Sequence, residues 1–179
     1  MKECVNVGAD DHIGPFHHPD YILGVCPLKG RTGHEAGRAL LQQMYAENIR
    51  GEMPEILITE RGKPYFSRGN VYFSISHTKA HAFCVLADRQ VGIDAEELTR
   101  QVNPALAQKI LSPGELEQYE AAGIPNRALL TFWVLKEAAA KCSGEGLRGY
   151  PNQTNFALDD PRVQEIDGCL VAVVFAEER

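Results

Sequence analysis

The stretch Val91-Gly92-Ile93-Asp94-Ala95-Glu96 lies at the middle of the 179-residue chain and combines alternating apolar residues with two acids. We predict that it forms a strand, paired in a hairpin with the apolar run at residues 82–87. Residues two positions apart on a strand point to the same side, so Asp94 and Glu96 would present their carboxylates about 7 Å apart. Like charges this close repel each other unless a cation lies between them. The pair is therefore either a Mg²⁺ site or the solvated face of an acidic strand.

Strand and helix signals on both sides of this stretch predict a mixed fold. Strands are predicted at residues 21–25 (an edge strand), 56–59, 71–76, 155–158, 162–166 and 169–176. Capping boxes at Thr32-Gly33-His34-Glu35 and Ser112-Pro113-Gly114-Glu115 predict two helix starts, and Asn126 is predicted to cap a long helix that ends near Lys141. Residues 1–91 and residues 92–179 each hold strands and one long helix, so a duplicated α+β unit is one interpretation.

Composition and cysteine content exclude several classes of protein. The chain is 44% hydrophobic and 23% charged, as globular domains are. No apolar run approaches the roughly 20 residues that cross a bilayer, and no apolar signal segment follows Met1, so we expect no membrane partner. The 5 cysteines form no CxxC pair, which indicates reduced thiols and a cytoplasmic protein.

The distribution of charge narrows the possible partners. The net charge is −6, and residues 92–179 carry all of the excess, with 14 acidic and 8 basic side chains. A nucleic-acid binder would show a basic stripe, so no nucleic-acid partner is expected. An acidic half is better suited to holding a divalent cation.

A second feature is the helical segment Phe132–Lys141. On a helix, Trp133, Glu137 and Lys141 follow one another at intervals of four residues and share one face. This stripe either delivers a further carboxylate to a site or serves as scaffold with a surface ion pair.

A third feature is Phe73-Ser74-Ile75-Ser76-His77-Thr78, a strand that ends in three hydrogen-bonding side chains. Such a turn either binds an anion or is purely structural. Lys63, in the turn Gly62-Lys63-Pro64, and Arg38, on the first helix, are further cations that could face a phosphate or simply be solvated.

The order of these motifs resembles a known family. The turn at residues 62–64, the strand end at 73–78, the strand at 92–96 and the helix at 132–141 follow one another as in the 4'-phosphopantetheinyl transferases of the surfactin-synthetase-activating type. The resemblance covers about residues 38–147. It implies two α+β halves, residues 1–91 and 92–179, related by a pseudo-twofold axis, with the active site in the cleft between them and coenzyme A bound there.

The resemblance also implies roles for single residues. Asp94, Glu96 and Glu137 would hold Mg²⁺, or Mn²⁺ in its place, against the pyrophosphate. The coenzyme A contacts would come from Lys141 at the pyrophosphate, His77 and Ser76 at the 3'-phosphate, and Lys63 and Arg38 toward the adenosine end.

The implied reaction transfers phosphopantetheine from coenzyme A to a serine of an acyl or peptidyl carrier protein and releases 3',5'-ADP. Glu137 is the first candidate for the base that takes the serine proton, directly or through a water, and Lys136 is its competitor. The alternatives are a non-catalytic relative that binds coenzyme A and a Mg²⁺-dependent exonuclease. The exonuclease is disfavoured because no His follows His81. A monomer is expected, since one chain would complete the cleft.

Overall fold

The computed structural model describes residues 13–146 and 154–176, and its mixed helix and strand content is that of the expected α+β class. Strands β1 to β9 span Ile13–His18, Tyr21–Pro27, Ile56–Ile58, Pro64–Phe66, Tyr72–His77, His81–Ala87, Val91–Glu97, Val163–Ile166 and Cys169–Phe175. Helices α1 to α4 span Gly33–Asn48, Ala107–Ile110, Pro113–Ala121 and Pro125–Ser143, and a 3-10 turn at Pro104–Leu106 precedes α2. Within these described ranges, no helix is both long enough and apolar enough to cross a bilayer.

The strands form two larger antiparallel sheets and a separate hairpin. The first sheet has the order β1-β2-β6-β5 and the second the order β7-β9-β8, while β3 pairs only with β4. Alternate residues of β2, β6, β7 and β9 meet in one apolar core between the two sheets. Helix α1 covers the other face of the first sheet, and α4 covers the other face of the second. The layers therefore run α1, sheet, sheet, α4, and a pseudo-twofold relation between the two halves stays a prediction.

Strand β7 does not form the predicted hairpin with β6. Both edges of β6 are already occupied, by β2 on one side and β5 on the other. The chain instead crosses to the second sheet after β6, and β7 pairs with β9, with Asp94 opposite Ala172. The hairpin prediction is wrong because it considered only neighbours in sequence.

Other boundaries also differ from the predictions. Residues 21–25 lie in β2, which is not an edge strand because β1 pairs with one side of it and β6 with the other. Strand β1 is rich in Gly, Pro and His and was not predicted, so the prediction of an edge strand is wrong. Residues 155–158 form no strand. Their backbone N–H groups bond to side chains of α3 instead, since Phe156 donates to Glu115 at 2.9 Å and Leu158 to Gln118 at 2.8 Å.

The two capping boxes are confirmed, and the third cap is wrong. Thr32 and Ser112 each accept a bond from the glutamate three residues later, which bonds back to the cap N–H. Helix α4 instead begins at Pro125. The Asn126 side chain bonds to the loop after β7, accepting from the Val102 N–H and donating to the Arg100 carbonyl, both at 2.9 Å. The cysteines at 26, 84, 142 and 169 are buried and unpaired, and Cys4 lies outside the described residues.

Strand β7 touches the backbone of α4 at Gly92. A Cβ atom built at this position would lie 2.0 Å from the Ala138 carbonyl oxygen and 2.4 Å from the Cys142 nitrogen. Only glycine permits this approach, because interiors are close-packed and backbone atoms cannot yield as a flexible side chain can. The contact lets β7 and α4 approach more closely than any side chain at position 92 would allow.

A buried ion pair fixes the opposite side of α4. The Lys136 ammonium donates to the Glu115 carboxylate at 2.8 Å, with side chains only 2% and 1% exposed, and to the Thr154 carbonyl at 2.8 Å. Burial lowers the pKa of Lys136, and the bond to Glu115 opposes that change. The ion pair joins α3 to α4, and the bond to Thr154 attaches the segment that begins at residue 154 to the same place.

Replacing Gly92 with Ala should destabilise the fold. The added methyl would overlap backbone atoms of α4, so we expect a loss of about 3 kcal/mol in the free energy of unfolding, measured by urea denaturation. The matched control is Gly123→Ala, where the methyl meets no atom within 4 Å. Equal stability of the two variants would contradict the close contact.

The Glu115–Lys136 pair predicts non-additive mutations. Lys136→Met alone would leave a buried carboxylate without its cation and cost about 3–5 kcal/mol of unfolding free energy. Adding Glu115→Gln removes the stranded charge and keeps a side chain that can cap α3. We therefore expect the double variant to be more stable than Lys136→Met in the same denaturation experiment. A double variant less stable than the single one would show that the two charges are not coupled.

Candidate functional site

Asp94 is the centre of the site. Its side chain is 8% exposed and accepts two bonds at Oδ1, from Lys141 Nζ at 2.7 Å and from Ser76 Oγ at 3.0 Å. The alternation of β7 places Val91, Ile93 and Ala95 in the core between the sheets, so Asp94 points to the α4 side. Its Oδ2 atom is buried and has no hydrogen-bond partner among the described residues. A buried carboxylate oxygen without a partner is costly and points to a missing ligand.

Glu137 approaches Asp94 from α4. The side chain is half-buried, and burial, followed by the charge of Asp94, raises the pKa of Glu137, while Lys141 and Arg100 act in the opposite direction. Carboxylates 43 positions apart in sequence thus share one region of space. The close contact of β7 with α4 at Gly92 accounts for this proximity.

Ser76 connects β5 to the same site. Its hydroxyl donates to Asp94 and accepts bonds from Lys141 Nζ at 3.0 Å and from the Ala95 N–H at 3.3 Å. Ser74, two residues earlier, accepts a bond from the Ile93 N–H at 3.1 Å. The two serines therefore join β5 to β7, although these strands belong to different sheets.

Glu96 lies on the same side of β7 as Asp94 but is engaged elsewhere. Its carboxylate forms an ion pair with Arg100, whose guanidinium lies over the ring of Trp133, 5.4 Å from the ring centre. Across residues 13–146 and 154–176, no three His, Cys, Asp or Glu side chains are arranged to hold a metal ion. The structure thus brings Asp94 and Glu137 together and leaves Glu96 with Arg100.

The donor set of this site fits Mg²⁺. This ion uses one or two protein carboxylates and completes its shell with water and substrate phosphates. The unpartnered Oδ2 of Asp94 and the nearby Glu137 carboxylate supply two oxygen ligands of the required type. A cluster of three acids is not needed for such a site.

A cavity opens beside these residues. It has a volume of about 270 Å³, and its lining includes Glu137, Lys141 and Lys63. A larger cavity of about 720 Å³ shares Lys63 with the first one. The Lys63 ammonium donates to the Cys142 carbonyl at the C-terminal end of α4, where a cation also complements the helix dipole, and burial lowers the pKa of Lys63.

His77 and Arg38 lie outside the smaller cavity. The His77 ring packs on Gly33, where an added Cβ would lie 2.3 Å from Cγ of the ring, so His77 lies beside the start of α1. Consecutive strand residues point to opposite sides, so His77 and Ser76 do not face the same region. Arg38 is half-buried on α1 and does not line the cavity that contains Glu137.

Lys136 is not brought to the site. It directly precedes Glu137 in α4 but lies about 100° away around the helix, and its ammonium is bound to Glu115 in the core. Its position therefore gives no support to a role as the base.

Sequence reasoning missed Arg100 and the structural role of Ser74. Arg100 follows Glu96 by four residues, a spacing that signals an ion pair only on a helix. Here the chain turns back after β7 through the bond from the Arg100 N–H to the Glu97 carbonyl at 2.9 Å. No local pattern predicts that turn or the cross-sheet bond of Ser74.

Comparison with known proteins supports the superfamily to which the surfactin-synthetase-activating type belongs, without distinguishing that type. Residues 90–172 match the model of the 4'-phosphopantetheinyl transferase superfamily. A "4'-phosphopantetheinyl transferase AcpT" of Salmonella typhi is 34% identical over 133 residues, which cover 70% of this chain and 66% of that protein. An "Enterobactin synthase component D" of Escherichia coli O157:H7 is 33% identical over 117 residues, 64% of this chain and 55% of the relative.

A relative with lower sequence identity also carries the name of a 4'-phosphopantetheinyl transferase. The "4'-phosphopantetheinyl transferase gsp" of Aneurinibacillus migulanus is 26% identical over 109 residues, 60% of this chain and 44% of the relative. The matched stretches thus span two thirds or less of the length of these relatives. The family model covers β7 and α4, which carry Asp94, Glu96 and Glu137. Together with the relatives it supports the assignment of this chain to the 4'-phosphopantetheinyl transferase superfamily.

Proposed function

We propose that this protein transfers phosphopantetheine from coenzyme A to a serine hydroxyl of an acyl or peptidyl carrier protein and releases 3',5'-ADP. The observation that carries the proposal is the convergence of Asp94, Glu137 and Lys141 beside one cavity. The names of the relatives agree with this activity. We assign the chain to the surfactin-synthetase-activating type on its four ordered motifs, and we propose a cytoplasmic monomer.

The proposed metal is Mg²⁺, with Mn²⁺ as a substitute. Asp94 and Glu137 would hold it, and Glu96 is the third proposed ligand, available once Arg100 releases it. When bound, the ion would neutralise charge on the diphosphate and stabilise the leaving group.

The side chains of the site suit a diphosphate. The ammonium of Lys141 lies 2.7 Å from Asp94, and a phosphate oxygen entering the cavity would offer it a second anionic partner. Ser76 holds both Asp94 and Lys141 in place, which we take as its function instead of a contact with the 3'-phosphate. We still propose that Lys63 faces the adenosine end and that His77 contacts the 3'-phosphate. The position of Arg38 adds no support to its proposed contact.

The chemical step needs positioning and one proton acceptor. The serine oxygen of the carrier would form a bond to the phosphorus that bears the pantetheine arm, and the bond from that phosphorus to the bridging oxygen of 3',5'-ADP would break. Glu137 would take the serine proton, directly or through a water, because its carboxylate lines the cavity. Burial and Asp94 raise the pKa of Glu137, which makes its carboxylate a stronger proton acceptor than a solvated glutamate.

The decisive experiment combines a transfer assay with matched variants. The protein is incubated with coenzyme A, Mg²⁺ and several apo-carrier proteins, and intact-protein mass spectrometry measures the phosphopantetheine gained by each carrier. We expect one carrier class to gain one phosphopantetheine. Asp94→Asn and Glu137→Gln should each lower the rate by about a hundredfold or more.

The control is Glu117→Gln, which removes an exposed carboxylate on α3 and should leave the rate unchanged. Binding of coenzyme A without transfer to any carrier would favour the non-catalytic alternative. A Glu137→Gln variant that transfers as fast as the Glu117→Gln control would remove Glu137 from the mechanism.

A further inference from the structure

Arg100 is held by partners on three sides. Its guanidinium pairs with the carboxylate of Glu96 and lies 5.4 Å from the centre of the Trp133 ring. Its backbone is fixed as well, because the Asn126 side chain donates to the Arg100 carbonyl at 2.9 Å. A planar guanidinium suits both a carboxylate and an aromatic face. The position of this arginine is therefore set by α4 as much as by the loop that carries it.

The same arginine faces the candidate metal site. The alternation of β7 puts Glu96 on the side of Asp94, and the charge of Arg100 also acts on Glu137. A second internal cation, Lys141, binds Oδ1 of Asp94, while Oδ2 has no partner within residues 13–146 and 154–176. Asp94 and Glu96 thus each have a cation from within the chain, Lys141 and Arg100 respectively.

We infer that Arg100 competes with the divalent metal for Glu96 and so weakens metal binding to the site. The inference rests on the proposed function, since it takes a metal at Asp94 and Glu137 as its starting point. Metal affinity rises with the number of charged oxygen ligands. Removing Arg100 would free Glu96 to become the third carboxylate, and the metal would no longer have to break the Glu96–Arg100 pair.

The test measures metal binding instead of activity. The full chain, without coenzyme A, is titrated with Mn²⁺, and the free ion is followed by electron paramagnetic resonance. We expect Arg100→Gln to bind Mn²⁺ about tenfold more tightly than the unaltered protein, a gain of about 1.4 kcal/mol. In a Glu96→Gln background, Arg100→Gln should alter the Mn²⁺ affinity less than about twofold. Position 96 then carries no carboxylate, so removing Arg100 frees no additional ligand for the metal.

The matched control is Arg127→Gln. Arg127 also forms a partly exposed ion pair with a glutamate, Glu165, but it lies at the other end of α4 and should leave the Mn²⁺ affinity unchanged. Ion pairs of this exposure contribute about 0–1 kcal/mol to stability, so these variants are expected to fold, and thermal unfolding checks this.

Three results would overturn the inference. The first is an Arg100→Gln affinity no tighter than that of Arg127→Gln. The second is a full gain that persists in the Glu96→Gln background, which would show a general charge effect instead of competition. The third is absence of Mn²⁺ binding by both the unaltered protein and Arg100→Gln, which would remove the metal site itself. Failure of the proposed function would appear separately, as absence of transfer in the carrier assay.

Discussion

The backbone contact between β7 and α4 at Gly92 is the constraint on which the site depends. It places Asp94 next to Glu137 and Lys141, although the strand and the helix are separated in sequence by two shorter helices. Burying a carboxylate such as Asp94 costs free energy unless charged partners compensate. Lys141 and Ser76 supply that compensation at one oxygen only. The site is therefore held in a geometry that a ligand at the second oxygen would complete.

The two sides of α4 use charge differently. On the core side, Glu115 and Lys136 neutralise each other and bond to backbone groups, so nothing is left for a ligand. On the side that faces β7, charged groups line a cavity and remain partly exposed. Adjacent residues of one helix, Lys136 and Glu137, thus serve stability and the candidate chemistry respectively. We therefore propose that only Glu137 of these two neighbouring residues takes part in the reaction.

The sequence predicted most of what depends on neighbours in the chain. The capping boxes at Thr32 and Ser112 and the shared face of Glu137 and Lys141 follow from local spacing, and the structure shows them. The pairing of β7 could not be predicted, because the choice between β6 and β9 depends on which sheet edges are already occupied. The position of Arg100 likewise depends on a turn and on the side chain of Asn126, which looked like a helix cap in the sequence.

The most direct test of the central claim asks whether the acids of β7 and α4 hold a metal against a diphosphate. Coenzyme A is bound to the protein, Mn²⁺ is added in small amounts, and the phosphorus resonances are recorded by NMR. We predict that Mn²⁺ broadens the two diphosphate resonances more than the 3'-phosphate resonance, and that Asp94→Asn abolishes the difference. Equal broadening of all three resonances, or a difference that survives in Asp94→Asn, would contradict it.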